Sequence, residues 1–215
     1  MAGTNFGIHS DELPTDIQFA THAHLTYLLD HAGISWRAYV QNINGRECPT
    51  ISQYPYAAKH NPFVYFHDVT ARAATCIAHM RAYTSLQSDL RHGRVARFDY
   101  ILPDLCSDMH DSCAPTYNSI AEGDRFLATT IPPILRSTAF KHGGVIFITW
   151  DEGEGNDGPI GLIALSPDAR RGYAGATHYT HSSTLRTIEE IFGVRPFLGA
   201  AAHSNDLRAL FHRFP

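Results

Sequence analysis

The stretch Gly143 to Gly158, GGVIFITWDEGEGNDG, governs how the chain is read. Val145 to Trp150 is an unbroken apolar, β-branched and aromatic run, the pattern of a central strand buried on both faces of a largely parallel sheet. Asp151 and Glu152 stand where that strand would end, and in open α/β sheets ligands gather beyond the carboxyl ends of the strands. Adjacent carboxylates repel each other, so a folded chain either solvates such a pair or neutralises it with a cation. Glycines and further acids follow. The loop is not an EF-hand, because Gly153 and Gly155 occupy positions where that loop needs oxygen ligands.

Working outward, the 215 residues suffice for one substantial core, and a single domain over 1–215 is expected. Seventeen Lys and Arg face twenty-one Asp and Glu, for a formal net charge of -4. The longest basic cluster is Arg170-Arg171, which argues against nucleic acid as a partner. No apolar run reaches membrane-spanning length, and the first residues have neither the basic nor the apolar region of an export signal.

The cysteines point elsewhere. Cys48, Cys76, Cys106 and Cys113 are even in number and contain no CxxC pair, which fits two disulfides better than a zinc ribbon. Of the three possible connectivities, Cys48 to Cys76 with Cys106 to Cys113 is the expected one. Two disulfides imply a secreted or extracellular protein, and four buried thiols a cytosolic one.

Thr15 and Gln18 have capping-box spacing and open an expected helix that Gly33 stops. Ile34 to Val40 reads as a strand, Thr70 to Arg91 as mostly helix, and Phe98 to Leu102 as a strand. Glu122 to Ser137 has helical period, with Pro132-Pro133 expected to kink or restart it. Ile160 to Leu165 reads as another buried strand. Thr180-His181-Ser182-Ser183 opens a helix that Gly193 ends, and a short helix around Asn205 to Phe211 closes the chain. Strands alternating with helices predict a three-layer α/β/α fold.

Three polar clusters fall on loops or helix starts: Asp108 with His110, Asp151 with Glu152, and His178 with His181. Carboxylates on a hard divalent cation, ringed by imidazoles, suit phosphate ester chemistry, since the metal spreads phosphoryl charge and histidine protonates a leaving oxygen. With fourteen histidines in the chain, chance groupings are common. His9, His22, His24, His31, His142 and His212 are read as surface or structural residues.

Four segments in order, KHNPFVYF at 59–66, LPDLCSDMHD at 102–111, ITWDEG at 148–153 and HSSTLRTIEEIFG at 181–193, resemble the phosphoesterase family. That family joins bacterial phospholipases C and secreted acid phosphatases within the alkaline phosphatase superfamily. The chain is most similar to the short secreted acid phosphatases, which include enzymes acting on phosphatidylinositol 3-phosphate. The resemblance implies an alkaline-phosphatase-like sheet and a phosphate ester substrate, with a phospholipid or phosphoinositide among the candidates. It implies a divalent metal ion of undetermined identity on Asp151 and Glu152. It further implies catalytic roles for His110 and His181 and substrate binding by His60, Asn61 and Asp108. Thr180 stands where the family often has an acid or Asn, and Met109 is inserted between Asp108 and His110. The family's first strand, with its Glu-Asn metal motif and the Ser or Thr nucleophile after it, has no counterpart here. The chain is therefore expected to start inside the domain, without that strand and with the nucleophile upstream of Met1. The expected function is phosphomonoester hydrolysis by an acid phosphatase. The alternatives are a phospholipase C-type phosphodiesterase and an inactive domain that binds phosphate-bearing ligands.

Overall fold

The structure is a computed structural model that describes residues 1–153 and 158–214. Its centre is a parallel three-stranded sheet in the order β2-β1-β3, made of β1 (Trp36–Val40), β2 (Met80–Ala82) and β3 (Phe98–Leu102). Trp36 pairs with Phe98 and Val40 with Leu102, while Ala38 pairs with Met80 and Val40 with Ala82. This register brings the carboxyl ends of the three strands level, so the loops after Val40, Ala82 and Leu102 leave from one edge.

Alternation along WRAYV explains why β1 is the middle strand. Trp36, Ala38 and Val40 enter the main apolar cluster with Leu25, Leu29, Phe63, Met80, Leu102 and Leu185. Trp36 is stacked between the Phe63 ring at 5.3 Å and the His79 ring at 3.9 Å, and its indole N–H donates to Asp30 at 2.9 Å. Arg37 and Tyr39 point the other way, where the Tyr39 hydroxyl donates to buried Asp89. Both faces are thus covered, one by α1 (Leu25–His31) and α7 (His181–Phe192), the other by α4 (Leu86–Arg91). Parallel neighbours need long crossovers. Residues 41 to 79 supply one, containing α2 (His67–Thr70) and α3 (Ala73–His79).

Several expectations are corrected. The helix expected from Thr15 begins only at Leu25, with His24 as its N-cap. Residues before it spend their hydrogen bonds elsewhere: Phe19 N–H donates to Tyr65 O, His67 N–H donates to Phe19 O, and the Gln18 amide reaches Pro14 O and Val64 O. Pairing with a distant segment outweighs a local capping signal. The helical reading of 70–91 hid the short strand β2, because three residues are too few to show a period. In α5 (Ser119–Arg136) the helix runs through Pro132 and Pro133 without a restart, and α6 (Thr138–Lys141) follows it. The C-terminal segment forms 3-10 turns at Gly199–His203 and Arg208–Leu210 in place of the expected helix.

The opening stretch is corrected most. β4 (Ile146–Thr149) pairs antiparallel with β5 (Leu162–Leu165) in a separate two-stranded sheet. Ile146, Phe147 and Ile148 are half-buried, and Ile163 is 48% exposed. Among the described residues β4 has β5 as its one ladder neighbour, so it is an edge strand of a ribbon and not the central strand of the parallel sheet. The α/β class is observed in helices around a parallel sheet. The acidic stretch at 154–157 lies outside the described residues.

Both expected disulfides form. Cys48 and Cys76 have Cα atoms 5.4 Å apart, and Cys106 and Cys113 5.6 Å. Cys76 lies in the core, so the first bridge fastens the 41–62 loop to α3. The second closes a small ring just beyond β3.

Candidate active site

Leu102 ends β3, and Pro103 starts the turn that leads into the ring closed by Cys106 and Cys113. Asp104, 5% exposed, organises that turn: one carboxylate oxygen accepts the N–H groups of Cys106 at 3.1 Å and Ser107 at 2.9 Å. Its carbonyl accepts from Ser107 and from Asp108 at 2.8 Å. Met109 then takes the left-handed φ of 76°, uncommon for a side chain of that size. Its side chain lies against Gly123 of α5, where an added Cβ would stand 2.5 Å from Met109 Cγ. The residue inserted between Asp108 and His110 therefore acts as a pivot, and His110 is left 55% exposed on the outer side.

His60 arrives from the crossover between β1 and β2, at the end of the 3-10 turn Ala58–His60. Its Nδ1 lies 3.2 Å from Asp108 Oδ2, while Asp108 Oδ1 accepts the His110 N–H at 2.9 Å. The His110 Nδ1 is 2.8 Å from Asp111 Oδ1, and the two imidazole rings are 5.5 Å apart, centre to centre. Each histidine thus has Nδ1 held by a carboxylate. A carboxylate on Nδ1 fixes the tautomer and leaves Nε2 to meet a substrate. Lys59 adds a cation beside the pair and forms a hydrogen-bonded ion pair with Asp11, whose carboxyl it holds below the usual range.

Asn61 departs from its expected substrate-binding role. It is fully buried: its carbonyl oxygen accepts from Phe63 N–H at 3.2 Å, and its amide donates to the Tyr56 hydroxyl. Those bonds cap the 3-10 turn Pro62–Tyr65. An amide so committed presents no polar atom to a ligand.

A second group forms at the end of β4. Asp151 and Glu152 are exposed, and His181, the first residue of α7, donates from Nε2 to the Asp151 carbonyl at 2.7 Å. The helix start is fixed by Thr180, whose N–H donates to Ser183 Oγ at 3.1 Å. His181 is thereby tied to the strand that carries the two acids, and His178 is exposed nearby in sequence. Burial, with the Asp151 charge as a second cause, pushes the Tyr100 phenol above its usual value, which places Asp151 within electrostatic reach of β3.

Two adjacent carboxylates are the right donor chemistry for a hard cation but only a fraction of the six or so oxygens it takes. Among the described residues no three His, Cys, Asp or Glu side chains converge as a metal cage. Asp151 and Glu152 would be the donors that the described residues offer such an ion, and no reaction step is derived through a metal.

The sequence motifs named His60, Asp108, His110, Asp151, Glu152 and His181 as candidates and gave no role to Asp104. Its sequence signal was position, directly after the Pro that follows a strand. Another buried grouping, Thr26 Oγ1 at 2.9 Å from His24 Nδ1 with His24 Nε2 at 3.0 Å from Asp68, has the order of a nucleophile triad. Thr26 and His24 are 1% and 0% exposed, so no substrate reaches them.

The model of the family described as "Phosphoesterase family" matches residues 1–195. The phosphate-repressible acid phosphatase of Penicillium chrysogenum is 26% identical over 92% of this chain and 48% of its own length. The acid phosphatase of Aspergillus fumigatus is 26% identical over 93% of this chain and 45% of its own. The phosphatidylinositol-3-phosphatase of Mycobacterium tuberculosis is 24% identical over 94% of this chain and 62% of its own. The chain spans about half the length of the fungal relatives it matches.

Proposed function

Since the chain belongs to the phosphoesterase family, we propose that it hydrolyses phosphate monoesters as an acid phosphatase. The observation that carries this reading is the His60–Asp108–His110 arrangement: two imidazoles 5.5 Å apart, each oriented through Nδ1, on loops leaving the carboxyl edge of a parallel sheet. Rings at that spacing, each with Nδ1 on a carboxylate, can both reach one phosphoryl group through Nε2, donating to its oxygens when protonated. Imidazoles gain charge as pH falls through the range where they titrate, which favours anion binding at acid pH.

In this reading His60 and His110 bind and orient the phosphoryl group and Asp108 holds both. His181 stands ready to protonate the departing ester oxygen. A divalent ion held by Asp151 and Glu152 with donors beyond them would supply charge neutralisation at the phosphoryl oxygens. Transfer of the phosphoryl group to water, directly or through an enzyme hydroxyl, releases alcohol and inorganic phosphate. The same proposal includes one domain over 1–215 and the three-layer, alkaline-phosphatase-like arrangement, supported by helices on both faces of the parallel sheet. It includes residence in an oxidising, extracellular compartment, supported by the two disulfides. Phosphoinositides are substrate candidates through the relative named as a phosphatidylinositol-3-phosphatase.

The test is turnover of p-nitrophenyl phosphate and of phosphatidylinositol 3-phosphate between pH 4 and 8, with and without added divalent ions. His60→Ala and His110→Ala are expected to lose roughly 10²- to 10⁴-fold in rate. Wild-type turnover unchanged in both variants would remove the histidine pair from the mechanism. Binding of inorganic phosphate without any turnover would make the chain a phosphate-binding domain.

A further inference from the structure

Asp104 has one carboxylate oxygen on the backbone of the disulfide ring and the other on a different strand's loop. The amide Nδ2 of Asn42 donates to Asp104 Oδ2. Asn42 lies two residues beyond the end of β1 and has a left-handed φ of 58°, a conformation in which Asn and Asp are enriched. The neighbouring contact runs in reverse: Gln41 Oε1 accepts the backbone N–H of Asp104 at 3.0 Å. Gln41 N–H also donates to Leu102 O at 3.0 Å, extending the β1–β3 ladder by one bond. The two strand ends are therefore crossed by side-chain bonds in both directions.

We propose that Asp104 and Asn42 form a positioning clasp that sets the gap between His60 and His110 and so the affinity of the site for phosphate. The inference rests on the phosphatase reading of that histidine pair. The chain of contacts is continuous. Asn42 holds Asp104 Oδ2; Asp104 Oδ1 and its carbonyl hold the N–H groups of residues 106 to 108; Asp108 then holds the His110 backbone through Oδ1 and the His60 ring through Oδ2. Neither residue touches the position a phosphoryl group would take beside the rings, so both act through Asp108.

Donor and acceptor arithmetic makes the clasp testable. Asp104→Asn, with its oxygen toward the backbone N–H groups, turns its amide toward Asn42, so the contact survives only if the Asn42 amide turns over to offer Oδ1, and the charge-assisted bonds become neutral ones. With its own side chain turned over, Asp104→Asn presents the amide to the N–H groups of Cys106 and Ser107. Asn42→Asp sets two carboxylates against each other. The exchanged pair Asn42→Asp with Asp104→Asn restores every bond, because the new Asn offers oxygen to the backbone and amide to the new Asp.

The experiment measures kcat and KM for p-nitrophenyl phosphate, the inhibition constant of inorganic phosphate, the thermal midpoint, and the NMR shifts of the His60 and His110 rings and amides. It compares the full chain, the two single variants and the exchanged pair. Asn42→Asp is expected to lose on the order of 10- to 100-fold in kcat/KM, mostly through KM, with weaker phosphate inhibition, and Asp104→Asn to lose less. The His110 and His60 resonances are expected to move together. The exchanged pair is expected to recover both kinetics and shifts, a recovery that a general loss of stability would not produce. Two outcomes overturn the clasp: Asn42→Asp with unchanged kinetics and shifts, or an exchanged pair no better than Asn42→Asp alone. Should the wild type hydrolyse nothing, the phosphatase reading fails, and the ring shifts alone still decide whether the clasp spaces the histidines.

Discussion

Asp99 gives the most direct test of how this fold responds to acid. It sits on β3 opposite Arg37 of β1, on the sheet face that also buries Asp89. Burial pushes its carboxyl up from 3.8 to about 7, opposed by the Ala96 N–H bond and Arg37 and reinforced by the Asp89 charge. Because the native state holds the proton more tightly than the unfolded chain, stability falls as pH rises from about 4 to about 7 and is level on either side. A shift of about three units at 1.36 kcal/mol each sets a ceiling of about 4 kcal/mol, and partial solvent access brings the expected effect to about 2–3 kcal/mol. Asp99→Asn keeps the oxygen that accepts from Ala96 N–H at 3.2 Å. It removes the charge, while Arg37 retains Asp89 at 3.5 Å. Urea unfolding at pH 4.5 and pH 7.5 reads the result: the variant should match wild type at the lower pH and exceed it by about 2–3 kcal/mol at the higher. A variant less stable than wild type at pH 7.5 would show that the ionised carboxylate is a favourable partner of Arg37, and the reasoning from burial would be wrong.

Glu189 of α7 is fully buried, with Oε1 on the Leu198 N–H and Oε2 without a hydrogen-bond partner among the described residues, and burial raises it from 4.5 to about 7. Glu189→Gln is expected to flatten the fall in stability between those pH values, measured by thermal midpoint across the range. Gly123→Ala drives a methyl into Met109, and is expected to cost about 1–3 kcal/mol. Because Met109 is the pivot before His110, kcat/KM should fall further than that loss of stability accounts for. Replacing Cys48 and Cys76 together by Ser opens a loop whose ends are 28 positions apart; chain entropy puts the cost near ~3–4 kcal/mol, readable by urea unfolding. Asp151→Ala is expected to abolish any dependence of turnover on added divalent ions; a variant that keeps the dependence would place the metal elsewhere.

What the sequence revealed and what it hid divide along the range of the interactions. The strands at Trp36–Val40 and Phe98–Leu102 were readable because alternation and flanking turns are local signals. Gly193 was readable for the same reason, and it ends α7 with φ 65°. The helix from Thr15 was misread because its capping signal competes with Tyr65 and Val64, about fifty positions away, which no local window contains. Burial of β4 was overestimated because an apolar run reports what a strand can bury, while its neighbours decide what it does bury. In the site, His60, Asp108 and His110 were visible as residue types in motifs. Asn61 stood in the same motif as His60 and went to the core, since a motif records that a residue is required without recording why.

The acid behaviour of the fold and the chemistry of the site point the same way. Asp99 and Glu189 are both held well above ordinary carboxylate values by burial, so the native state takes up protons as pH falls toward 5. Uptake by groups absent from the site means that acid stabilises the scaffold, a change separate from any effect of pH on the proposed phosphatase site. The two effects have separate causes and can be separated: Asp99→Asn should alter the pH dependence of stability and leave the pH profile of turnover in place. Loss of the acid branch of that profile on changing Asp99 alone would mean that β3 transmits its protonation to the Asp104 turn. The histidine pair would then report the charge state of the sheet beneath it.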